Sequence, residues 1–271
     1  MDNLIISTPI ELFDVDGKSI YVKREDLCTP EEGPQFSKIR GVAEFLQNLE
    51  PGTEVGVLDT FHSKAGWGVA WLCQKLGFQC HNFYPVYKTE GSIDYHTLRL
   101  NQQKSKGFGA ILHPLPAGRS CILYHKARSF MNNLPNGIML PNALKLPSSI
   151  SATAKEVYTV PEYLLCGTWV ISISSGTIAA GVMQGLDELG AIPDIILHMG
   201  YSRSKDSVRS YVAKYSTLIP QLVDEGYSYK DAATMECPFP CNEYYDLKAW
   251  RWLLGNYYSL KKPVIFWNIG A

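Results

Sequence analysis

The chain of 271 residues is 46% hydrophobic and carries a formal net charge of −1, a composition typical of a globular protein with a large core. The near-neutral charge excludes a broad basic surface for nucleic acid, and the chain has no apolar run near the roughly 20 residues of a membrane span. The acidic N-terminus lacks the basic start of a signal peptide, so we expect a cytoplasmic protein.

The N-terminal stretch TPIELFDVDGKSIYVKRED predicts two short strands joined by an Asp-Gly turn at Asp16 and Gly17. From residue 54 to 141, apolar runs alternate with helical stretches, which predicts three βα units and a closing strand. A second alternating series follows from 150 to 268. Its predicted strands are 168–174, 194–200, 217–224 and 263–268.

Regular alternation of strands and helices predicts an α/β fold with mostly parallel sheets covered by helices on both faces. Two series of this size predict two lobes. We assign residues 1–50 and 145–271 to a large lobe and residues 51–144 to a small lobe. Ligands of open parallel sheets bind at the carboxyl ends of the strands, so we expect the functional residues there.

Two loops at such strand ends carry polar and aromatic side chains, for which a surface or packing role is the simpler interpretation. These side chains are His198, Tyr201 and Arg203 in one loop, and Glu225, Tyr227 and Tyr229 in the other.

The seven cysteines are an odd number and stand mostly in apolar segments, such as those around Cys73 and Cys166, which predicts buried reduced thiols. Cys237 and Cys241, in CPFPC, could in principle ligate a metal. They are accompanied by no second Cys/His pair at a matching spacing, so we expect no metal site.

Residues 171–182, ISISSGTIAAGV, have the pattern of a strand that enters a Ser-Ser-Gly-Thr turn and then a helix. The start of a helix presents unpaired N–H groups and the positive end of the helix dipole, which together favour a phosphate. An ordinary strand-to-helix connection with a serine N-cap is the alternative that this stretch alone leaves open.

The segments TPIELF, IYVKREDL and FSKIRG resemble the entry to the fold-type-II pyridoxal-phosphate enzymes of the tryptophan synthase β-like superfamily. The resemblance is strongest to the branch of aminocyclopropane-carboxylate deaminase and D-cysteine desulfhydrase. It implies pyridoxal 5′-phosphate as the cofactor and Lys38 as the lysine that forms a Schiff base with it. Phe36 and Ser37 stand where the family has Gly-Asn. Without the resemblance, Lys38 would be a surface lysine at the start of a helix over 38–48.

The segment DTFHSKAGWGVAWLCQKLG resembles the family's substrate-carboxylate loop and the helix after it. Matching on the Val-Ala pair of that helix places Ser63 at the position of the family's catalytic-loop serine. Lys64 then stands where the family has Asn, and it could pair with a carboxylate or phosphate of the substrate or point to solvent. The substrate-binding residues implied by the resemblance are Ser63, Lys64, Ala65 and Gly66.

The stretch SSGTIAA resembles the family's phosphate cup, which implies four residues that hold the cofactor phosphate: Ser174, Ser175, Gly176 and Thr177. CNEYYDLKAW resembles the segment whose aromatic ring stacks on the cofactor and whose acid faces the pyridine nitrogen, which implies these roles for Tyr245 and Asp246. An acid there keeps the nitrogen protonated and makes the ring a strong electron sink. Asp246 could instead N-cap a helix over 247–254.

The resemblance implies a lyase or deaminase that acts at Cα or Cβ of an amino acid, in a homodimer, with Lys38, Ser63 and Tyr245 as catalytic residues. One alternative is decarboxylation or cleavage of an amino acid attached to a larger anionic carrier, such as a modified nucleic-acid base, accepted by Lys64, Arg203 and the Tyr-rich loops. A second alternative is a noncatalytic cofactor-binding homologue. The presence of both Lys38 and an acid at the pyridine position counts against it.

Overall fold

The computed structural model describes residues 4–60, 63–86 and 99–270. Its ten strands are β1 (Ile10–Val15), β2 (Lys18–Arg24), β3 (Glu54–Leu58), β4 (Gln79–Val86), β5 (Ile111–Pro116), β6 (Gly137–Met139), β7 (Thr168–Ile173), β8 (Asp194–Met199), β9 (Gln221–Val223) and β10 (Val264–Asn268). Its eight α-helices are α1 (Ile39–Gln47), α2 (Ala65–Leu76), α3 (Leu100–Gly107), α4 (Ser120–Met131), α5 (Pro147–Val157), α6 (Thr177–Glu188), α7 (Lys205–Val212) and α8 (Asp246–Asn256).

The chain forms two compact units, Met1–Gly41 with Pro147–Ala271 and Val42–Leu146. The sheet of the first unit has the order β1-β2-β10-β7-β8-β9, in which only the β1–β2 pair is antiparallel. The sheet of the second unit has the order β5-β4-β3-β6 and is parallel throughout. The predicted α/β fold with mostly parallel sheets is confirmed. None of the helices in the described ranges is long and apolar enough to cross a membrane.

The predicted N-terminal hairpin is confirmed as the antiparallel pair β1–β2. Asp16 and Gly17 have φ values of +51° and +74°, as the favoured tight turn between antiparallel strands requires. The N–H of Gly17 also donates to Oδ1 of Asp14 at 3.1 Å. Through β2 the hairpin joins the parallel strand β10, so it forms one edge of the sheet.

The predicted strand 217–224 is wrong over its first four residues, because the strand comprises Gln221–Val223. Pro220 has no N–H to donate to a ladder, and Ile219 is 92% exposed, so burial does not favour a strand there. Thr217 instead bonds Asp187 near the end of α6, through its N–H at 2.7 Å and its hydroxyl at 3.0 Å. In the series from residue 54 to 141, a helical stretch is predicted over residues 94–107, and its first part, residues 94–98, lies outside the described residues.

The cysteines divide by position in the fold. Cys28, Cys73 and Cys80 are buried as predicted, but Cys121 and Cys166 are exposed. The prediction is wrong for Cys166 because it lies in a surface turn before β7, where its thiol donates to the backbone oxygen of Tyr163 at 3.6 Å. An apolar sequence neighbourhood therefore did not ensure burial.

Both faces of the first sheet are covered, since consecutive residues of β7 enter different clusters. Trp169 and Ile171 pack in a cluster with residues of α5, α6 and α7. Val170, between them, packs with residues of α8. Strands buried on both faces explain the continuous apolar runs in the sequence.

The close packing of α6 on α5 depends on two glycines of α6. A Cβ on Gly181 would lie 2.5 Å from Cβ of Thr153 and 2.6 Å from the backbone oxygen of Ile150. A Cβ on Gly185 would lie 2.7 Å from Cβ of Val157. The two helices therefore approach each other at the backbone, and this contact fixes the position of α6 on its sheet.

A buried group of charges joins the N-terminal strands to α5. Nζ of Lys23 lies 2.8 Å from Oε2 of Glu156, and Nη1 of Arg40 lies 3.2 Å from Oε1 of the same carboxylate. Arg40 also approaches Oε1 of Glu25 at 3.2 Å. Burial acts to raise the pKa of Glu156, but Arg40 and Lys23 together lower it below its usual value.

Candidate active site

The Ser-Ser-Gly-Thr turn lies at the carboxyl end of β7 and leads directly into α6. Gly176 has a φ of +93°, a left-handed conformation that glycine adopts without strain, and a Cβ there would lie 2.7 Å from Cδ1 of Tyr211. Thr177 is buried at the first position of α6, and Ser174 is half-buried in the turn. The helix start therefore borders a turn of small side chains, as a phosphate site requires.

Lys38, which directly precedes α1, reaches this turn. Its Nζ donates a hydrogen bond of 2.8 Å to Oγ of Ser175, 137 residues later in the chain. Oγ of Ser175 lies 3.1 Å from Oγ1 of Thr177 and accepts from the N–H of Thr177 at 3.5 Å. The structure thus brings the predicted cofactor lysine and two predicted phosphate-binding residues into one hydrogen-bonded group.

The turn before Lys38 is fixed to the chain that follows β10. The N–H of Ser37 donates to the backbone oxygen of Ile269 at 3.0 Å, and Phe36 forms an antiparallel bridge with Gly270. Ser37 is 1% exposed, and within the described residues its Oγ has no hydrogen-bond partner. A buried hydroxyl of this kind next to Lys38 is a group that a bound ligand would satisfy.

Tyr245 and Asp246 stand at the start of α8. Asp246 is the first helical residue and Tyr245 occupies the N-cap position, so the alternative that Asp246 N-caps a helix over 247–254 is wrong. Asp246 is 2% exposed, and its Oδ1 accepts from the N–H of Ile269 at 3.4 Å. Burial and the neighbouring Tyr229 raise the pKa of Tyr245, so its hydroxyl stays protonated at neutral pH.

These residues share the carboxyl edge of the first sheet. The turn at Ser175 follows β7, and Ile269, which bonds both Ser37 and Asp246, follows β10. The ring of Tyr245 approaches the backbone after β8, since a Cβ on Gly200 would lie 3.0 Å from its Cδ1. Ligands of parallel sheets bind at this edge, so the first unit has a candidate site there.

In the second unit, the predicted substrate loop leads into α2, which begins at Ala65 with Lys64, half-buried, as its N-cap residue. The N–H of Ala65 donates to Oγ of Ser63 at 3.0 Å, and that of Gly66 donates to Oδ1 of Asp59 at 3.3 Å. A substrate carboxylate at this helix start would therefore compete with two acceptors of the protein itself. The roles assigned to these loop residues stay predictions.

Asp59 is a buried carboxyl that sequence analysis did not single out. It is 1% exposed, and its Oδ2 accepts from Nε2 of Gln102 at 3.0 Å. Burial raises the pKa of Asp59 to about 7, although hydrogen bonds from Gly66 and Gln102 act to lower it. Its position in the sequence could have indicated this role, because an aspartate directly after an apolar strand is often buried. A buried carboxyl needs hydrogen-bond donors around it.

The two cysteines of the CPFPC segment are not joined by a disulfide. Cys237 and Cys241 are free thiols of intermediate exposure. Across the described ranges, no three His, Cys, Asp or Glu side chains are arranged so that they could hold a metal ion.

Comparison with known proteins identifies the family. A protein of Pseudomonas phage M6 named glycyl-dTMP PLP-dependent decarboxylase is 49% identical to this chain over 280 residues, which cover 98% of this chain and 99% of the phage protein. The chain belongs to the family of this decarboxylase. No profile of a known protein family matches it.

Solved structures share the fold at low sequence identity. An ACC deaminase homologue has a TM-score of 0.79 and 18% identity, covering 99% of this chain and 90% of that chain. A hydrogen sulfide-producing enzyme of Fusobacterium nucleatum has a TM-score of 0.70 and 14% identity, and the match covers 100% of this chain and 95% of that enzyme. Threonine deaminase isoform 2 of Solanum lycopersicum has a TM-score of 0.69 and 14% identity, and the match covers 100% of this chain and 85% of the deaminase.

The predicted resemblance to fold-type-II pyridoxal-phosphate enzymes is confirmed by this family and this fold. The family's cofactor, pyridoxal 5′-phosphate, is the one that the sequence motifs implied. A common fold at such identities does not extend to the substrate, so the reaction is a separate question.

Proposed function

We propose that this chain is a pyridoxal-phosphate-dependent decarboxylase whose substrate is an amino acid carried on deoxythymidine monophosphate. The observation that supports it most is the 49% identity to the phage glycyl-dTMP decarboxylase over almost the full length of both chains. The proposal corresponds to the alternative of an amino acid on a larger anionic carrier. It replaces elimination or deamination of a free amino acid as the favoured reaction.

The residues of the first unit fit the cofactor. The phosphate turn consists of small residues with Gly176 packed against the ring of Tyr211, and the buried Oγ of Ser37 has no partner within the described chain. Lys38 would hold the cofactor covalently through Nζ. Ser174, Ser175 and Thr177, with the first N–H groups of α6, would hold its 5′-phosphate.

When bound, pyridoxal phosphate would supply an electron sink for the negative charge left on carbon as the carboxyl group departs as CO2. Asp246, buried beside Ile269, would keep the pyridine nitrogen protonated and so strengthen that sink. Nζ of Lys38, free once the amino group of the substrate had replaced it on the cofactor, would return a proton to the same carbon. The ring of Tyr245 would stack on the cofactor and exclude water.

In the second unit, we assign Ser63, Lys64, Ala65 and Gly66 to substrate binding on the strength of the family resemblance. Lys64 would pair with an anionic group of the substrate. A homodimer in the cytoplasm remains our prediction for the assembly and its location.

The test is incubation of the purified holoenzyme with glycyl-dTMP, followed by mass spectrometry of the nucleotide and a CO2 assay. We expect the nucleotide to lose one carboxyl group as CO2. Lys38→Ala should abolish both the reaction and the borohydride-reducible linkage to the cofactor. Lys155→Ala, at an exposed position of α5, is the matched control and should retain both.

Release of ammonia and a keto acid in place of CO2 would contradict the proposal and favour the deaminase that the sequence first indicated. Efficient turnover of D-cysteine or aminocyclopropane carboxylate would do the same. A holoenzyme that binds the cofactor but converts none of these compounds would favour the noncatalytic alternative.

A further inference from the structure

The loop after β8 is held rigidly beside the phosphate turn. The N–H of Gly200 donates to the backbone oxygen of Ile173 at 3.2 Å, at the end of β7. Nζ of Lys248 is buried and donates to the oxygen of Gly200 at 2.6 Å. Oγ of Ser202 donates to Oδ1 of Asp224 at 2.6 Å. These hydrogen bonds hold the loop in place at the edge of the sheet where the candidate site lies.

Tyr201 of this loop forms a cluster with Tyr229, which follows β9, and Tyr245, which precedes α8. The rings of Tyr201 and Tyr229 lie edge to face with centroids 5.3 Å apart, and those of Tyr229 and Tyr245 lie 6.5 Å apart. All three side chains are half-buried, so each keeps part of its ring accessible. Aromatic rings of this kind stack on the flat face of a nucleobase, whatever the base.

Arg203 stands beside this cluster without an acidic partner. Its guanidinium lies 6.0 Å from the ring centroid of Tyr201. Its Nε is buried and lacks a hydrogen-bond partner, and over residues 4–60, 63–86 and 99–270 we find no ion pair to this side chain. The nearby acids are otherwise engaged, since Asp224 accepts from Ser202 and Glu225 lies 3.0 Å from Nε2 of His198.

A guanidinium of this kind suits a phosphate. Its planar fork makes two parallel charge-assisted hydrogen bonds to phosphate oxygens, and it keeps its charge at any physiological pH. The phosphate of a nucleotide carries a charge of about −2 at neutral pH. D-cysteine and aminocyclopropane carboxylate offer neither this phosphate nor an aromatic ring, whereas a pyrimidine nucleotide offers both.

We infer that Tyr201, Arg203 and Tyr229 form the subsite that binds the nucleotide part of the substrate. The tyrosine rings stack on the pyrimidine, and Arg203 pairs with the 5′-phosphate. The inference rests on the proposed function, because it takes a nucleotide-borne amino acid as the substrate. It makes Arg203 and the two tyrosines determinants of specificity, separate from the residues assigned to the cofactor.

Calorimetric titration of the holoenzyme with dTMP tests the subsite without any reaction. Arg203→Gln should raise the Kd for dTMP about tenfold or more and leave the weaker binding of thymidine, which has no phosphate, unchanged. Arg209→Gln is the matched control, because that arginine is exposed and pairs with Asp206 within α7. Both variants should keep the absorbance of the bound cofactor.

The role of Tyr201 is tested by the same calorimetric titrations. Tyr201→Ala should weaken dTMP and thymidine equally, by about tenfold, because stacking does not involve the phosphate. Tyr201→Phe keeps the ring and should retain the wild-type affinity for both ligands. A loss in Tyr201→Phe equal to that in Tyr201→Ala would contradict stacking as the source of affinity.

The inference is overturned if wild type and Arg203→Gln bind dTMP with equal affinity. It is also overturned if Lys64→Asn weakens dTMP binding and Arg203→Gln does not. The proposed function is measured separately, by CO2 release from glycyl-dTMP. If the wild type releases CO2 but dTMP binding is indifferent to Arg203, the subsite is wrong and the decarboxylase stands. If dTMP binding depends on Arg203 but no CO2 is released, the decarboxylase is wrong and the nucleotide subsite stands.

Discussion

Lys38 donates to a hydroxyl at the phosphate turn, since its Nζ lies 2.8 Å from Oγ of Ser175. An anion that binds at this turn would therefore gain a charge-assisted hydrogen bond or a favourable field from Lys38. The position of the lysine beside the phosphate turn thus supports its proposed role in attaching the cofactor.

Asp246→Asn separates the electronic role of this residue from its structural one. The amide keeps the size of the side chain and an oxygen that can accept from the N–H of Ile269, but it carries no charge to keep the pyridine nitrogen protonated. We expect cofactor binding to be retained and kcat for CO2 release to fall about tenfold or more. Asp194→Asn, at the exposed start of β8, is the control. Unchanged kcat in Asp246→Asn would limit Asp246 to a structural role.

The buried carboxyl of Asp59 makes the stability of the second unit depend on pH. Its pKa is about 7 in the folded chain, against an ordinary value of 3.8. Between these values the folded state retains a proton that the unfolded state has released. The free energy of unfolding therefore falls as the pH rises from about 4 to 7, and this contribution is constant above pH 7.

Asp59→Asn should remove this pH dependence, because the amide does not titrate. Between pH 5 and 8, we expect the wild type to lose about 3 kcal/mol of unfolding free energy relative to the variant. Urea denaturation of both proteins at the two pH values measures the difference, and other titrating groups cancel in the comparison. If the free energies of unfolding of wild type and Asp59→Asn changed equally with pH, Asp59 would be ionised in the folded chain throughout this range.

At the scale of elements, the contact of α6 with α5 sets the position of the phosphate turn. Gly181→Ala places a methyl group 2.5 Å from Cβ of Thr153, so the helices must separate. We expect a loss of about 1–3 kcal/mol in unfolding free energy, with weaker cofactor binding because the start of α6 shifts. Gly255→Ala in α8, whose added methyl group would meet no described atom within 4 Å, should be neutral or slightly stabilising.

Thermal unfolding and titration of the apoprotein with pyridoxal phosphate measure both effects. An unchanged cofactor affinity in a destabilised Gly181→Ala variant would show that the turn keeps its geometry independently of α5. Equal stabilities of the two glycine variants would contradict the close approach itself.

Most strands and helices could be predicted from the sequence, because each is specified mainly by residues close together in the chain. The Asp-Gly pair at residues 16–17 favours a tight hairpin turn, and alternating apolar runs distinguish strands from helices. The strand expected from residue 217 failed where Pro220 and the exposed Ile219 removed both the hydrogen-bond donor and the burial. Hydrophobic patterning alone did not reveal this.

The site was less predictable than the elements. Lys38 and Ser175 are 137 residues apart, so no local pattern pairs them, and the family resemblance alone suggested a shared site. Asp59 was missed because its role depends on Gln102 and Gly66, which approach it only in the fold. The unpaired Nε of Arg203 likewise depends on which acids are already engaged nearby.

At the scale of the molecule, Glu156 ties the N-terminal strands to the second half of the chain. Glu156→Gln would leave Lys23, fully buried, without its compensating charge. We expect a loss of about 3–5 kcal/mol in unfolding free energy at pH 7. Because the pKa of Glu156 is lowered in the folded state, this stabilisation is present above its ordinary value of 4.5 and is lost as the pH falls below it.

Urea denaturation at pH 7 and pH 3 tests this tie, with Glu162→Gln at an exposed position as the control. The gap between Glu156→Gln and wild type should narrow at pH 3, because the unfolded wild type is protonated at Glu156 below the ordinary pKa of 4.5 and the folded state keeps less of its advantage. A gap of the same size at both pH values would attribute the loss to packing rather than to charge.

The order of strands in the first sheet has a consequence for synthesis on the ribosome. β10, the last strand, lies between β2 and β7, with Val264 paired to both Ile20 and Thr168. Lys38 and the phosphate turn emerge before β10, but their sheet cannot close until β10 has left the exit tunnel. Residues 42–146 are complete much sooner and can fold while translation continues. The nascent chain therefore acquires its ability to hold a cofactor only after β10 has emerged, and a product truncated before β10 would be released without it.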